Sequence, residues 1–343
     1  MSQLLRNTAS TEGVASLEIA LATYNGAHHL PALLGSLFAQ SCQDFRIVVA
    51  DDNSSDTTRA VLTDFQSRYP GRIRVVGFST RSGGAAANFA RLSNYLRADY
   101  VSYCDQDDVW LPHKVAASLE RIRAAEARHG HTCPILIHTE LELVDSGLRR
   151  LHPSFWRYIS IDPERHDLRE LLVEMSVAGC TLTVNRAHYE LARPIPPEAV
   201  MHDHWLALVA AALGKMEFIS EPSVLYRQHG SNVSRRREKG SRAFLQRMQE
   251  ILGHRTLQRD RENFDRLARQ AGVFLVRYGQ ALAPAQRHLV RMFASLPEMG
   301  RGRRCVSLLR NGVLRTSFVH NLALFYVLLH TGRDPALRNA RRC

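Results

Sequence analysis

The chain has 343 residues, 45% of them hydrophobic, which is enough for one large domain with an appendage or for two domains. It contains no run of eighteen apolar residues, which excludes a membrane-spanning helix, and its polar first eleven residues lack an apolar signal core, so a cytoplasmic location is expected. The net charge of +12 is uneven: residues 1–240 carry 26 Lys and Arg against 27 acids, whereas residues 241–343 carry 19 Arg, no Lys and six acids.

In chain order, residues 1–15 read as a loose lead-in. Residues 17–22 predict a strand that ends in the turn Thr23, Tyr24, Asn25, Gly26. Leu30, Leu33, Leu34, Leu37 and Phe38 recur at helical spacing within 29–40. Residues 46–50 form a near-continuous apolar strand, the pattern of a parallel sheet covered on both faces. It ends in Asp51-Asp52-Asn53, and a helix over 57–69 follows with Asp56 as its N-cap. Residues 73–78 are a third strand, and Ser82-Gly83-Gly84 opens a helix over 85–96. A fourth strand, 100–104, runs into Asp105-Gln106-Asp107-Asp108-Val109-Trp110. Leu111-Pro112 then opens a helix over 114–128.

This βαβαβαβα order predicts an α/β fold, an open and mostly parallel sheet with helices on both faces. Ligands bind such sheets beyond the carboxyl ends of the strands, where four polar clusters fall. In the last cluster three carboxylates within four residues repel one another. Mg²⁺ or Mn²⁺ is the economical counter-charge, because hard cations take carboxylate oxygens. An isolated triplet of this kind is as readily a solvated acidic loop. The dinucleotide fingerprint, the P-loop, zinc spacings and the GxSxG elbow are all missing. The six cysteines (42, 104, 133, 180, 305 and 343) lack metal spacing and read as reduced, mostly buried thiols.

Further on, residues 134–138 with Leu141 and Leu143 suggest strand, and residues 168–175 a short helix. Residues 177–184 predict a strand whose internal Gly179 marks close approach of a ligand or backbone. Met201-His202-Asp203-His204-Trp205 heads a helix over 206–213, where Asp203 is either a structural cap or a chemical group. Residues 223–232 are a strand leading to a polar turn that holds His229, a residue type that taken alone is more often structural.

The order of these motifs resembles an inverting glycosyltransferase of family 2 with a GT-A fold. Bacterial rhamnosyltransferases of surface polysaccharide synthesis are the nearest group. The resemblance rests on Ala22-Thr23-Tyr24-Asn25, Val49 through Asp56, Gly83-Gly84 with Asn88, Cys104 through Pro112, Gly179, His202-Asp203 and Tyr226 through Asn232. It implies that Asp52 accepts from the nucleotide base, with Thr23, Tyr24 and Asn25 nearby. Gly83, Gly84, Asn88 and Gln106 would belong to the same nucleotide-sugar site, and Asp105 would face the ribose. Asp107 and His229 would hold a divalent metal, Mg²⁺ or Mn²⁺, on the diphosphate, with Asp108 sharing that role. Asp203 would be the catalytic base. Trp110, Gly179, His202 and Arg227 would adjoin these groups. Many family members carry Glu-Asp at the base position; His202-Asp203 here makes His202 an acceptor contact or a partner behind Asp203.

The resemblance divides the chain into residues 16–234, with a nucleotide-binding half 16–130 and an acceptor-binding half 131–234, and a basic helical region 235–343. Helical apolar spacing recurs there over 244–252, 264–271, 286–296 and 319–329. Arginines between these positions are either a solvated face, an anionic membrane contact or a nucleic-acid contact. The resemblance implies a polyprenyl-diphosphate-linked acceptor, so a peripheral position at the inner face of the cell membrane is expected and nucleic acid is not. The expected function is transfer of a sugar, rhamnose from dTDP-rhamnose favoured, in O-antigen or related synthesis. A UDP-sugar donor is the alternative, since Asp52 suits either base. A nucleotidyltransferase would leave Asp203 and His229 without a purpose. A non-catalytic basic binding protein on an α/β scaffold would retain its function in Asp203→Asn and Asp107→Ala.

Overall fold

The computed structural model describes residues 16–228 and 254–330. Nine strands form one sheet: β1 (Leu17–Thr23), β2 (Phe45–Asp51), β3 (Ile73–Gly77), β4 (Tyr100–Asp105), β5 (Val109–Trp110), β6 (Ile135–Val144), β7 (Arg150–His152), β8 (Thr183–Asn185) and β9 (Lys215–Arg227). Their order is β3-β2-β1-β4-β8-β6-β9-β5, with β7 on β6. The first four are mutually parallel, in register Leu17 opposite Phe45 and Tyr100. Beyond β4 the sheet is mixed: β8 is antiparallel to β4 and β6, β9 is parallel to β6, and β5 is antiparallel to β9.

Alternation along the central strands sorts side chains to two helical layers. Leu17, Ile19, Leu21, Phe45, Ile47 and Val49 pack on one face. There they meet α1 (Leu30–Phe38), α2 (Thr58–Arg68) and α4 (Lys114–His129). Ala20, Val48, Ala50, Val101 and Tyr103 pack on the other, under α3 (Ala85–Ser93) and α8 (His202–Leu213). Each fully buried Leu, Ile or Phe adds about 1.5–3 kcal/mol, so the doubly covered sheet is the stable platform for its loops. The N-cap of α2 is Thr57 rather than the expected Asp56, which sits one residue earlier and accepts from Thr58 N (2.9 Å) and Ala27 N (3.1 Å).

Several expectations need correction. Residues 177–184 are strand only from Thr183; Gly179–Thr181 is a tight helical turn. A Cβ on Gly179 would lie 2.9 Å from His202 Nε2, so glycine lets the chain turn against α8. The helix expected over 168–175 is α6 (Leu168–Leu171), because Glu174 is drawn off to Thr316 N (2.7 Å) and His320 Nδ1 (3.3 Å). Pro112 precedes α4 by two residues, since Leu111 N pairs with Ser223 O (2.9 Å) as β5 leaves the sheet. Also present are α5 (Phe155–Ile159) and α7 (Arg186–Ala192).

The C-terminal residues form α9 (His254–Tyr278), α10 (Pro284–Ser295), α11 (Arg301–Arg310) and α12 (Phe318–His330). The helical segment expected over 244–252 lies outside the described residues. Phe264, Phe274 and Phe293 join the same core as α8, with Phe274 edge-on to Trp205 at 5.5 Å. Arginines here donate to carbonyls: the buried Arg304 to Pro297 O (2.7 Å) and the exposed Arg266 to Val200 O (2.9 Å). No helix among the described residues is long and apolar enough to cross a membrane.

Candidate active site

The carboxyl ends of β1, β2 and β4 carry the site. Thr23 is buried and donates to Asp51 Oδ1 (3.2 Å). Asp51 also accepts from Ser54 N (3.1 Å) and Arg59 Nε (3.0 Å), so its carboxylate is used to hold loops. Asp52 accepts from Ser82 N and lines the cavity beyond. Asn25 adopts φ +47°, a conformation asparagine tolerates, and its Oδ1 accepts from Ser55 N (2.9 Å). Gln106 clamps the β1 loop by accepting from Tyr24 N (2.8 Å) and donating to Tyr24 O (3.0 Å). Asn88 donates to Ala50 O (2.9 Å), tying α3 to β2. Gly83 has φ +96°, which glycine adopts without strain.

The acidic stretch divides by direction. Asp105 and Asp107 line the cavity and are half-buried, whereas Asp108 is wholly buried beneath them. Burial, with the charges of Asp107 and Asp203 added, raises the Asp105 pKa to about 7. Burial, with Asp107 and Asp105 added, lifts Asp108 well above the carboxylate range. Asp108 accepts from Arg227 N (3.2 Å), and its Oδ2 has no hydrogen-bond partner among the described residues. Arg227 holds the stretch by donating to Asp107 O (2.8 Å) and Ser146 O (2.6 Å).

Donor atoms of Asp105, Asp108 and Cys180 lie within 4.8 Å of one another. An orphaned buried carboxylate oxygen and acids lifted by mutual repulsion are what a divalent cation relieves, so these residues fit one. Lys114 is buried behind them, its Nζ 4.6 Å from the Trp110 ring centre and 3.4 Å from Thr181 O, and burial lowers its pKa to about 8. His229 lies outside the described residues.

Asp203 sits in the first turn of α8, one residue past its start, where the helix dipole favours a carboxylate. Burial nonetheless raises its pKa to about 6, against the bond it accepts from His204 N (2.7 Å). His204 is fixed from both sides, by Leu171 O (2.6 Å) and by Gln270 Nε2 (3.2 Å) from α9. His202 stacks on Phe89 at 3.9 Å, has no hydrogen-bond partner among the described residues, and burial drops its pKa to about 3. It is a neutral ring packed away from the open face, which corrects the acceptor-contact alternative.

One cavity of about 660 Å³ gathers Thr23, Tyr24, Asp52, Gly84, Asn88, Asp105, Gln106, Asp107, Gly179 and Asp203. Asn25, Gly83, Asp108, Trp110, His202 and Arg227 are not on its wall. Its lining also includes residues the sequence reading missed: Arg81, Trp156, Cys180, Phe264 and Arg315. Arg81 stacks its guanidinium 3.9 Å over Tyr24. Lys114 had a signal, since it shares the stripe of Ser118, Ile122 and Glu126 that α4 buries. Arg315 had none, because nothing local to it points to β4 or α8.

A family model described as glycosyl transferase family 2 matches residues 18–190. The dTDP-rhamnosyl transferase RfbG of Shigella flexneri is 26% identical over 226 residues, covering 62% of this chain and 72% of that protein. In two other relatives the shared stretch covers 66% and 60% of their length. Among solved structures, S. aureus TarS 1-349 in complex with UDP-GlcNAc superposes with TM-score 0.52 at 14% identity, covering 95% of this chain and 92% of that one. The mannosyltransferase PcManGT from Pyrobaculum calidifontis, in complex with GDP-Man and Mn²⁺, gives TM-score 0.52 at 15% identity, covering 95% and 79%. At such identities the two structures establish a GT-A-like fold.

Proposed function

Because the chain belongs to glycosyl transferase family 2, we propose that it moves one sugar from a nucleoside diphosphate to a glycan acceptor, with inversion, in cell-surface polysaccharide synthesis. The observation that carries this reading is the convergence of Asp52, Asp105, Asp107 and Asp203 on one cavity. Rhamnose from dTDP-rhamnose is the favoured donor, in keeping with the Asp105-Gln106-Asp107-Asp108 sequence and the rhamnosyl relative. A UDP-sugar is the competing donor, suggested by the UDP-GlcNAc bound to the structural neighbour.

In this reading Asp52 accepts from the nucleobase, with Tyr24 and its Arg81 neighbour beside it. Asp105 takes the ribose. Asp107 would hold the divalent cation together with Asp105, with Asp108, pinned by Arg227 below them, sharing that role through its unpartnered Oδ2. The cation, Mg²⁺ or Mn²⁺, would offset charge on the leaving diphosphate as a Lewis acid. Asp203 takes the proton of the attacking acceptor hydroxyl from the face opposite the leaving group. Its raised pKa suits a base working near neutral pH, because it can hold the proton without being inert. His204, braced by Leu171 and Gln270, orients it. His229 is proposed as a further metal ligand.

The acceptor is proposed to be linked to a polyprenyl diphosphate, which places the enzyme on the inner face of the cell membrane. Exposed Phe318 and Leu322 on α12, and exposed Arg301 and Arg303 on α11, which packs against α12, support peripheral docking to anionic lipid. The primary test is calorimetric titration of dTDP and UDP with Mn²⁺ and again with EDTA. Metal-dependent binding of one diphosphate is expected and identifies the base; binding of neither would sink the transferase reading.

A further inference from the structure

The cavity has lining beyond the groups assigned to the donor: Trp156 and Val173, and Phe264 and Leu267 from α9. Three polar groups complete this lining beside Glu174: Asp260 and Asn263 on α9, and Arg315 from the segment before α12. These positions lie 57 or more residues beyond Asp203 in sequence, yet they share one cavity with it. In an inverting displacement the nucleophile arrives opposite the leaving group, so the acceptor must stand beside Asp203. His204, next to Asp203, meets Leu171 O (2.6 Å) and Gln270 Nε2 of α9 (3.2 Å), which brings this lining to the base.

The chemistry of this lining narrows the occupant. Aromatic and aliphatic walls suit the C–H face of a sugar ring, and a ring of paired acceptors and donors suits its hydroxyls. The charges do not suit an anion. Glu174 resists the upward push of burial, because His320 and Thr316 hold its carboxyl below the usual range. It therefore stays ionised, with His320 against one of its oxygens (3.3 Å), and with Asp260 it leaves no surplus of positive charge beside Arg315. Arg315 is itself anchored, with Nε on Val173 O at 3.2 Å and its backbone N on Asn321 Oδ1 at 2.8 Å.

We propose that the C-terminal helical region builds the acceptor subsite, with Asn263 and Arg315 reading an uncharged sugar ring. The proposal rests on the transferase reading above. Any diphosphate carried by the acceptor then stays outside the cavity.

The test uses the full chain with saturating dTDP or UDP and Mn²⁺. Methyl glycosides of rhamnose, glucose and N-acetylglucosamine, and methyl glucuronide as an anionic counterpart, are titrated by saturation-transfer NMR. At least one neutral glycoside is expected to bind in the millimolar range and better than the glucuronide. Asn263→Ala and Arg315→Gln should each weaken it by about five- to tenfold while the nucleotide affinity moves less than about twofold. Asn263 is exposed, so its variant stays informative even where Arg315→Gln loses its anchor and melts early. No neutral glycoside binding, a preference for the glucuronide, or an unchanged affinity in Asn263→Ala overturns the proposal. Nucleotide binding on the same samples separates the two ideas: nucleotide binding without glycoside binding sinks only the acceptor subsite, and loss of both in the parent protein sinks the transferase reading.

Discussion

On the donor side of the cavity, short loops leave the ends of parallel strands and are laced to one another by Asp51, Gln106, Asn88 and Arg227. The remaining wall comes from helices that return after more than fifty residues and pack by apolar contact. The donor side concentrates three carboxylates, two of them lifted by burial and mutual repulsion. The remaining wall is mostly apolar with isolated polar groups. A fixed, strained set of charges suits a ligand common to many enzymes, a nucleoside diphosphate with its cation. A wall assembled from a separate part of the chain can differ between relatives without disturbing that machinery. The family match ends at residue 190, whereas the cavity also draws on Asp203, α9 and Arg315 beyond it.

Variants can break this division, beginning with the group at the junction. Asp203→Asn should lower kcat about 10²–10⁴-fold while dTDP or UDP still binds, since on the proposed reading only the proton acceptor is removed. Single-turnover kinetics beside calorimetry checks this, and weakened nucleotide binding would move Asp203 into the donor side. Asp107→Ala should cost at least about tenfold in nucleotide affinity with Mn²⁺ and little with EDTA. Equal losses in both conditions would remove its metal role.

The pH dependence sharpens the same line. If Asp203 is the base, kcat/KM falls as pH drops through about 6, where its carboxylate becomes protonated. A limb near pH 4 instead would mean an exposed, ordinary carboxylate. Stability should move oppositely. The folded pKa of Asp105 is raised from 3.8 to about 7, so its contribution is present below about pH 4 and is lost as pH rises through 7. A divalent cation offsets that loss, so the gain in Tm on adding Mn²⁺ should be larger at pH 8 than at pH 5, measured by scanning fluorimetry. An equal gain at both pH values would place the cation away from Asp105. The smallest effect is expected at the periphery: Phe318→Ser should reduce sedimentation with anionic liposomes about two- to tenfold at low salt. Unchanged sedimentation would exclude this face as the docking surface.

Local periodicity made the front of the fold legible. The strands at 17–23, 45–51, 73–77 and 100–105 and the helices between them follow from alternation and helical spacing, which need only neighbours in sequence. The polar clusters at strand ends were legible for the same reason, because a parallel sheet must bring those ends to one edge. Asp105 and Asp107 could therefore be placed at that edge, and Asp203 was singled out by the family resemblance; all three line one cavity. The direction of each carboxylate was not legible. Asp107 faces the cavity and Asp108 faces Arg227 because β9 runs beside β5, a pairing across more than a hundred residues. The burial of His202 under Phe89 depends on α3 lying over α8. The neutrality of that imidazole and the depressed pKa of Lys114 follow from burial, a property of the assembled chain. Sequence thus determined which segments are strands, which are helices and where acids cluster, since those are set by short-range patterning. Tertiary structure alone decided which acids meet, which cation lies behind them and that α9 and Arg315 close the cavity, since these are set by contacts between distant parts of the chain.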